Sequence, residues 1–498
     1  MLITSIIFVP MVGGLIIALL LREEKTIRLT ALFVVLVELF LTIAALLDFN
    51  KSKVAGEMAL EVYKEWIPYL NINYHIGMDG LSLPLVTLAS ILGVCAVLAS
   101  WHVTLRVKEY FAWLLILQTA VVGVFVSLDL VMFFIFWELE LIPMYFLISI
   151  WGSGRKEYSA MKFLIFTLLG SAFMLIGILA IFFSTGTFNI VELPGILGSA
   201  DLILPAGLLF WFIFIAFAVK LPVWPVHSWL PDAHTDAPTA VSVMLAGVLL
   251  KMGGYGMIRL GVGLFPGEAQ EYAGFLATIA VISVLYGAVI TLRQTDLKRL
   301  VAFSSISHMG YVLLGISSIA GVNGVVSEVG LTGAAMQMFT HGTITGLLFL
   351  VVGFIYERAH TRHIPDLGGL VSSMPLVGIV FVIAGLASLG LPSTSGFVGE
   401  LLVFVGTYDV WTIHTALGVF GIVITSGYIL WTVQRVMFGP KRDRFVEIGD
   451  AKIVDIAPMV LLVITIFGVG LYPSLLTDIF DSGIWTITEI IGGSASLP

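Results

Sequence analysis

Charge is scarce in this chain of 498 residues: Asp, Glu, Lys and Arg together make up 11%, against roughly 25% in an ordinary soluble domain. That leaves too little polar surface for a water-facing protein of this size. Cysteine is scarcer still. The single Cys95 cannot close an internal disulfide or by itself hold an iron–sulfur cluster, and its apolar neighbours make packing its expected role. The chain has no strand-linked Gly-x-Gly-x-x-Gly, no Gly-Lys-Ser/Thr phosphate loop and no cysteine cluster, so no nucleotide, metal or redox-cofactor site is expected within it. No nucleic-acid partner is expected either.

What the chain has is apolar length, at 59% hydrophobic residues. About 20 apolar residues are enough for a helix to cross the hydrocarbon core. Windows of that size predict fourteen spans, near 2–21, 28–48, 80–101, 110–127, 129–150, 161–183, 205–230, 238–262, 271–293, 299–319, 331–356, 374–405, 410–438 and 453–478. The expected fold is an all-α integral membrane protein, one polytopic domain over 1–498 with the lipid bilayer as its solvent. No small-residue cleavage site follows the first span, so it is expected to remain.

Lys and Arg are enriched in cytoplasmic loops. Alternating the connections places eighteen of the 24 on one side, Lys298 and Lys441 among them, and four on the other: Lys51, Lys53, Lys64 and Arg259. The asymmetry predicts both termini outside the cytoplasm, in a bacterial cytoplasmic membrane or an equivalent energy-coupling membrane. The longest outside connection, about 50–77, is too small for a soluble catalytic domain. Asp79, just after it, is the expected cap of the next helix.

The remaining two cations, Lys220 and Lys251, fall inside spans. An ionisable group at the bilayer centre costs roughly 2.5–3.5 kcal/mol on insertion scales, so each needs a reason. Glu138 lies in an apolar run with Pro143 five residues on. Glu140 is turned about 200° from it on a continuous helix, and is expected to make a local or inter-subunit contact. Lys220 precedes two prolines, Pro222 and Pro225, that break its helix. Glu400 follows a second break at Gly390-Leu391-Pro392. Paired interrupted spans are a pointer to repeats with the site between them. His308 and His341, within apolar spans, are the candidate proton carriers between these groups. His227, His234, His360 and His363 fall near span ends or in loops, where packing or exposure is expected.

Trp137-Glu138 with Pro143-Met144-Tyr145, the run from Lys220-Leu221-Pro222 to Asp232-Ala233-His234, Ala237-Pro238-Thr239-Ala240, Asp296-Leu297-Lys298-Arg299, Ser307-His308-Met309-Gly310 and Gly396-Phe397-Val398-Gly399-Glu400 together resemble the antiporter-like proton-pumping membrane subunits of respiratory complex I. The resemblance covers essentially the whole chain and is greatest to the NuoM branch. Glu400 discriminates, since NuoL and NuoN types and Mrp antiporter subunits typically carry lysine there.

The resemblance implies two inverted five-helix repeats, 110–262 and 271–438, with discontinuous helices near 205–230 and 374–405. It implies a midplane relay in which Glu138 and Lys220 are the input pair, Lys251 the centre, Glu400 the output, and His308 and His341 lie between. It also implies the activity, that of a subunit of an NADH:quinone oxidoreductase translocase, and the partners: NuoL- and NuoN-like membrane subunits and a hydrophilic electron-transfer arm. FMN, iron–sulfur clusters and quinone are expected in those partners. The alternative is an Mrp-type Na⁺/H⁺ antiporter subunit on the same scaffold.

Overall fold

The computed structural model describes residues 1–52, 58–322, 325–440, 442–445 and 448–494. Lys53 and Lys441, two of the loop lysines, lie outside the described residues.

Among the described residues, twelve helices are long and apolar enough to cross a membrane. The two predicted spans missing from that set, 205–230 and 374–405, are the two that divide at a proline-containing turn. The first divides into Ala206–Lys220 and, after the turn through Pro222 and Pro225, Trp229–Asp236. The second divides into Pro375–Ser388 and Ser395–Tyr408, with Gly390 and Pro392 between. Proline cannot donate to the preceding turn, so polar backbone groups are freed at both places. Such backbone is tolerated at membrane depth only where protein or internal water covers it.

Burial sorts the helices. Thr239–Val262, Leu297–Ala320 and Glu328–Ala359 are enclosed over their whole apolar windows, whereas Leu2–Leu20, Glu24–Phe49 and Ile453–Leu471 are mostly uncovered. Large apolar side chains such as Phe33, Phe40 and Phe183 point outward, as a lipid-facing rim requires. The polar groups discussed below sit on or against the enclosed helices.

The fold is the expected helical membrane protein, and the connection ahead of the helix Ser82–Ala99 adds an antiparallel hairpin, Ala59–Ile67 paired with Ile72–Met78. Asn71 supplies the left-handed residue at its turn, with φ 52°, a conformation that asparagine tolerates better than most. The last predicted span, 453–478, is also shorter than expected. Its helix stops at Leu471 ahead of Pro473, and a separate amphipathic helix, Ser474–Ser494, follows. Ile479, Phe480 and Ile484 pack this helix inward, and Thr332 donates to Asp481 at 2.5 Å.

Two loop assignments also change. Lys298 is 3% exposed in the helix Leu297–Ile316, and its ammonium donates to Ala237 O at 2.6 Å. Arg259 is no loop residue: it is buried in the π-helical stretch Met257–Val262. Asp79 caps its helix as expected, its Oδ1 accepting from Leu81 N at 3.1 Å and Ser82 N at 2.9 Å.

Candidate functional site

Lys251 occupies the centre of the enclosed helix Thr239–Val262 and is wholly buried. The π-helical stretch Leu245–Leu249 precedes it. A π turn bonds five residues back rather than four, which widens the helix beside the lysine. Its ammonium donates to Ala246 O and meets His341 Nδ1 at 2.7 Å.

Beyond His341, whose Nε2 has no hydrogen-bond partner, the next group is His308. The His341 and His308 rings have centroids 5.6 Å apart. His308 Nδ1 stands 3.4 Å from Glu400 Oε1, and its Nε2 is 3.4 Å from Ser388 Oγ. A cavity of about 10 Å³ lies against His308, His341, Gln337, Thr340, Ser388 and Glu400. That is close to the space one water needs, and the site has the polar partners to hold it. Lys251, His341, His308 and Glu400 therefore form one buried line from the enclosed helices to the second helix break.

Glu400 owes its position to that break. Gly390 there has φ 75°, and a Cβ on it would stand 2.4 Å from Glu400 Oε2. Only glycine accepts the left-handed backbone cheaply and leaves the carboxylate its room.

Lys220 closes the helix Ala206–Lys220 at the first break, 1% exposed. Its ammonium lies over the Trp137 ring at 5.2 Å and the Phe163 ring at 5.5 Å. The helix of Lys251 approaches it closely: a Cβ on Gly253 would be 2.6 Å from Leu221 N and 2.8 Å from Phe217 O. Glycine at 253 thus lets the two lysine-bearing segments pack backbone to backbone.

The expected partner of Lys220 is corrected by the structure. Its ammonium pairs with the fully buried Glu140, not with Glu138. Glu140 keeps helical backbone, with φ −68° and ψ −25°, between the helices Leu130–Leu139 and Leu141–Trp151, so the two carboxylates do lie on different faces, and the face turned to Lys220 is that of Glu140. Glu138 is half-buried and within Coulombic reach of Lys220. Its Oε1 and the second Glu140 oxygen have no hydrogen-bond partner. Two carboxylates thus flank one ammonium, and the pair reached across space is the one the sequence ranked lower.

Other buried polar groups lie outside the file from Lys251 to Glu400. His234 is fully buried, stacked on Phe349 at 4.6 Å, and neither ring nitrogen has a partner. Glu38, fully buried in the second helix, accepts from Gln118 Nε2 at 2.8 Å. Asp79 and Arg259 form a buried ion pair. Glu38 had a visible signal, a lone acid in the apolar run Val34 to Phe40. The packing expected of His227 and His234 is what both show, His227 Nε2 meeting Tyr286 OH at 3.2 Å near the first break.

Residues 127–425 match the family described as NADH:quinone oxidoreductase/Mrp antiporter, transmembrane. The chain is 38% identical over 499 residues to the NADH-quinone oxidoreductase subunit M of Rhodobacter capsulatus, covering 97% of this chain and 95% of the relative. It is 39% identical over 492 residues to the NAD(P)H-quinone oxidoreductase chain 4 of Gloeobacter violaceus, covering 96% and 90%. Among solved structures, a chain of respiratory complex I from Thermus thermophilus with bound NADH superposes with a TM-score of 0.87 at 26% identity, covering 99% of this chain and all of that one. A chain of the Mrp complex from a Dietzia species superposes at 0.86 with 22% identity, covering 98% of each, which speaks to the fold alone. The chain belongs to the NADH:quinone oxidoreductase/Mrp antiporter transmembrane family.

Proposed function

We propose that this chain is the proton-translocating membrane subunit of a quinone-reducing NADH oxidoreductase, and that its protons travel along the buried file ending at Glu400. The observation that carries the reading is the succession of buried groups from Lys251 through His341 and His308 to Glu400, set between two broken helices. Buried ionisable groups of this density are hard to keep in a membrane without a transport role.

Lys220, flanked by Glu138 and Glu140, is the loading end. When the carboxylates move away, the buried ammonium loses its compensation and releases its proton more readily. The proton passes to Lys251 and on through the histidines. Moving one charge against 100 mV requires about 2.3 kcal/mol. Quinone reduction in other subunits supplies it, with FMN, iron–sulfur clusters and quinone held there and no redox site in this chain. NuoL- and NuoN-like subunits and the hydrophilic arm are the expected partners. The reading includes fourteen spans, the repeats 110–262 and 271–438, and both termini on the non-cytoplasmic side of a bacterial cytoplasmic membrane.

The Mrp-type antiporter remains the second reading, since the family spans both. A carboxylate at Glu400, where antiporter subunits typically carry lysine, favours the redox-driven complex. Purification of the tagged chain in mild detergent tests the choice. Copurifying flavin and iron–sulfur subunits, with quinone-linked proton uptake in liposomes, support the proposal. Proton movement driven by a sodium gradient alone, without redox partners, would reverse it.

A further inference from the structure

Lys251 has polar company on the hairpin side as well. Tyr255 and Arg259 follow it at intervals of four on the same enclosed helix, so they project from one face. Eight residues at 1.5 Å each carry the stripe about 12 Å along the helix, most of the way from the middle of a roughly 30 Å hydrocarbon core to its edge. Tyr255 OH donates to Phe125 O at 3.0 Å and accepts from Arg259 Nε at 3.4 Å. The Arg259 guanidinium pairs with Asp79 Oδ2, both 7% exposed at the side chain. Beyond them lies a cavity of about 370 Å³, lined by Arg259, Gly263, Leu264, Ile190, Thr486 and the exposed Glu61.

We propose that Tyr255, Arg259 and Asp79 form a second, gated outlet that branches at Lys251 from the file ending at Glu400 and leads to the hairpin face, with the ion pair as the gate and the cavity as its water-filled mouth. This rests on the reading of the chain as a proton pump. A second π-helical stretch, Met257–Val262, carries the arginine, and π turns are frequent where a helix serves a site. The guanidinium keeps its own proton. Separation of the pair opens a path for water, along which the proton moves as hydronium. A purely structural pair would tie the helix after Asp79 to the Lys251 helix without needing a polar stripe or a cavity behind it.

The test uses the whole complex in liposomes, with Gly263→Cys and, separately, Thr486→Cys, each in a Cys95→Ser background. A Cβ on Gly263 meets only Ile258 O at 3.6 Å, so the new side chain fits. A charged, membrane-impermeant methanethiosulfonate is applied from the hairpin side, its reaction is followed by mass spectrometry, and the proton-to-electron ratio is compared with the untreated sample. The outlet predicts reaction at both positions and a fall in the ratio of at least half that produced by Lys220→Ala. Complete reaction with an unchanged ratio, or no reaction, overturns it. Asp79→Asn keeps a capping oxygen but not the charge. The gate predicts a resting proton leak several-fold above wild type, whereas a structural tie predicts lower thermal stability with a wild-type leak. Lys220→Ala with a full ratio would instead remove the pump reading itself.

Discussion

Gly390→Ala places a methyl group 2.4 Å from Glu400 Oε2. Ordinary contact begins near 3.4 Å, so the carboxylate must retreat by about 1 Å, or the break must open by as much. The backbone adds about 1–2 kcal/mol, because alanine at φ 75° is in the left-handed region. A displacement of about 1 Å at a group that must meet its partner can slow transfer about 10²-fold. The partner here is His308, whose Nδ1 is only 3.4 Å from Oε1. The assay is quinone-linked proton uptake in liposomes, read as protons per electron, with thermal inactivation of the assembled complex beside it. The control is Gly427→Ala, where an added Cβ meets nothing within 4 Å. Gly390→Ala is expected to assemble, lose a few degrees of thermal stability and pump at a reduced ratio, while Gly427→Ala matches wild type. A wild-type ratio in an assembled Gly390→Ala complex would refute the role of the Glu400 position.

Glu140→Gln should destabilise the assembled complex more than Glu138→Gln, by up to about 3 kcal/mol, because it removes the anion that the buried Lys220 ammonium contacts; thermal inactivation of the two variants ranks them, and the reverse order would restore Glu138 as the direct partner. Gly253→Ala forces a methyl against Leu221 N and Phe217 O and should cost about 1–3 kcal/mol by overpacking, lowering the ratio as well as stability; an effect on neither would mean the two lysine segments need not pack closely. Gln118→Leu strands the buried Glu38 carboxyl without its donor, and should cost about 1–3 kcal/mol, again read by thermal inactivation, where an unchanged midpoint contradicts it.

Composition and apolar run length carried most of the fold into view, because in lipid a segment must satisfy its backbone as a helix or in a closed barrel, and apolar runs of about 20 residues are the length of the helix. The two places where helices break were legible through Pro222, Pro225 and Pro392. Lys220, Lys251 and Glu400 were legible because a charge in an apolar run is rare and conspicuous.

What sequence could not give was direction across space. Glu138 and Glu140 differ by two positions and lie on different faces of their span, and which face meets Lys220 depends on how that span packs against the helix Ala206–Lys220, which periodicity alone does not reveal. Arg259 and Lys298 read as loop charges because the ends of hydrophobic windows are blurred by a few residues, and both turned out to be buried with partners. His234 sits in a short helix between two proline turns, where no periodicity reports which side faces in. The hairpin between residues 59 and 78 escaped because hydropathy windows register only spanning length.

The most direct measurement is the proton-to-electron ratio of the assembled complex in liposomes carrying Lys251→Ala, with electron transfer to quinone measured in the same vesicles under uncoupler. Lys251 meets the first histidine of the file and in the proposed relay receives the proton from Lys220, so its loss should lower the ratio while the uncoupled redox chemistry persists. An intact complex with Lys251→Ala that pumps at the wild-type ratio would contradict the relay.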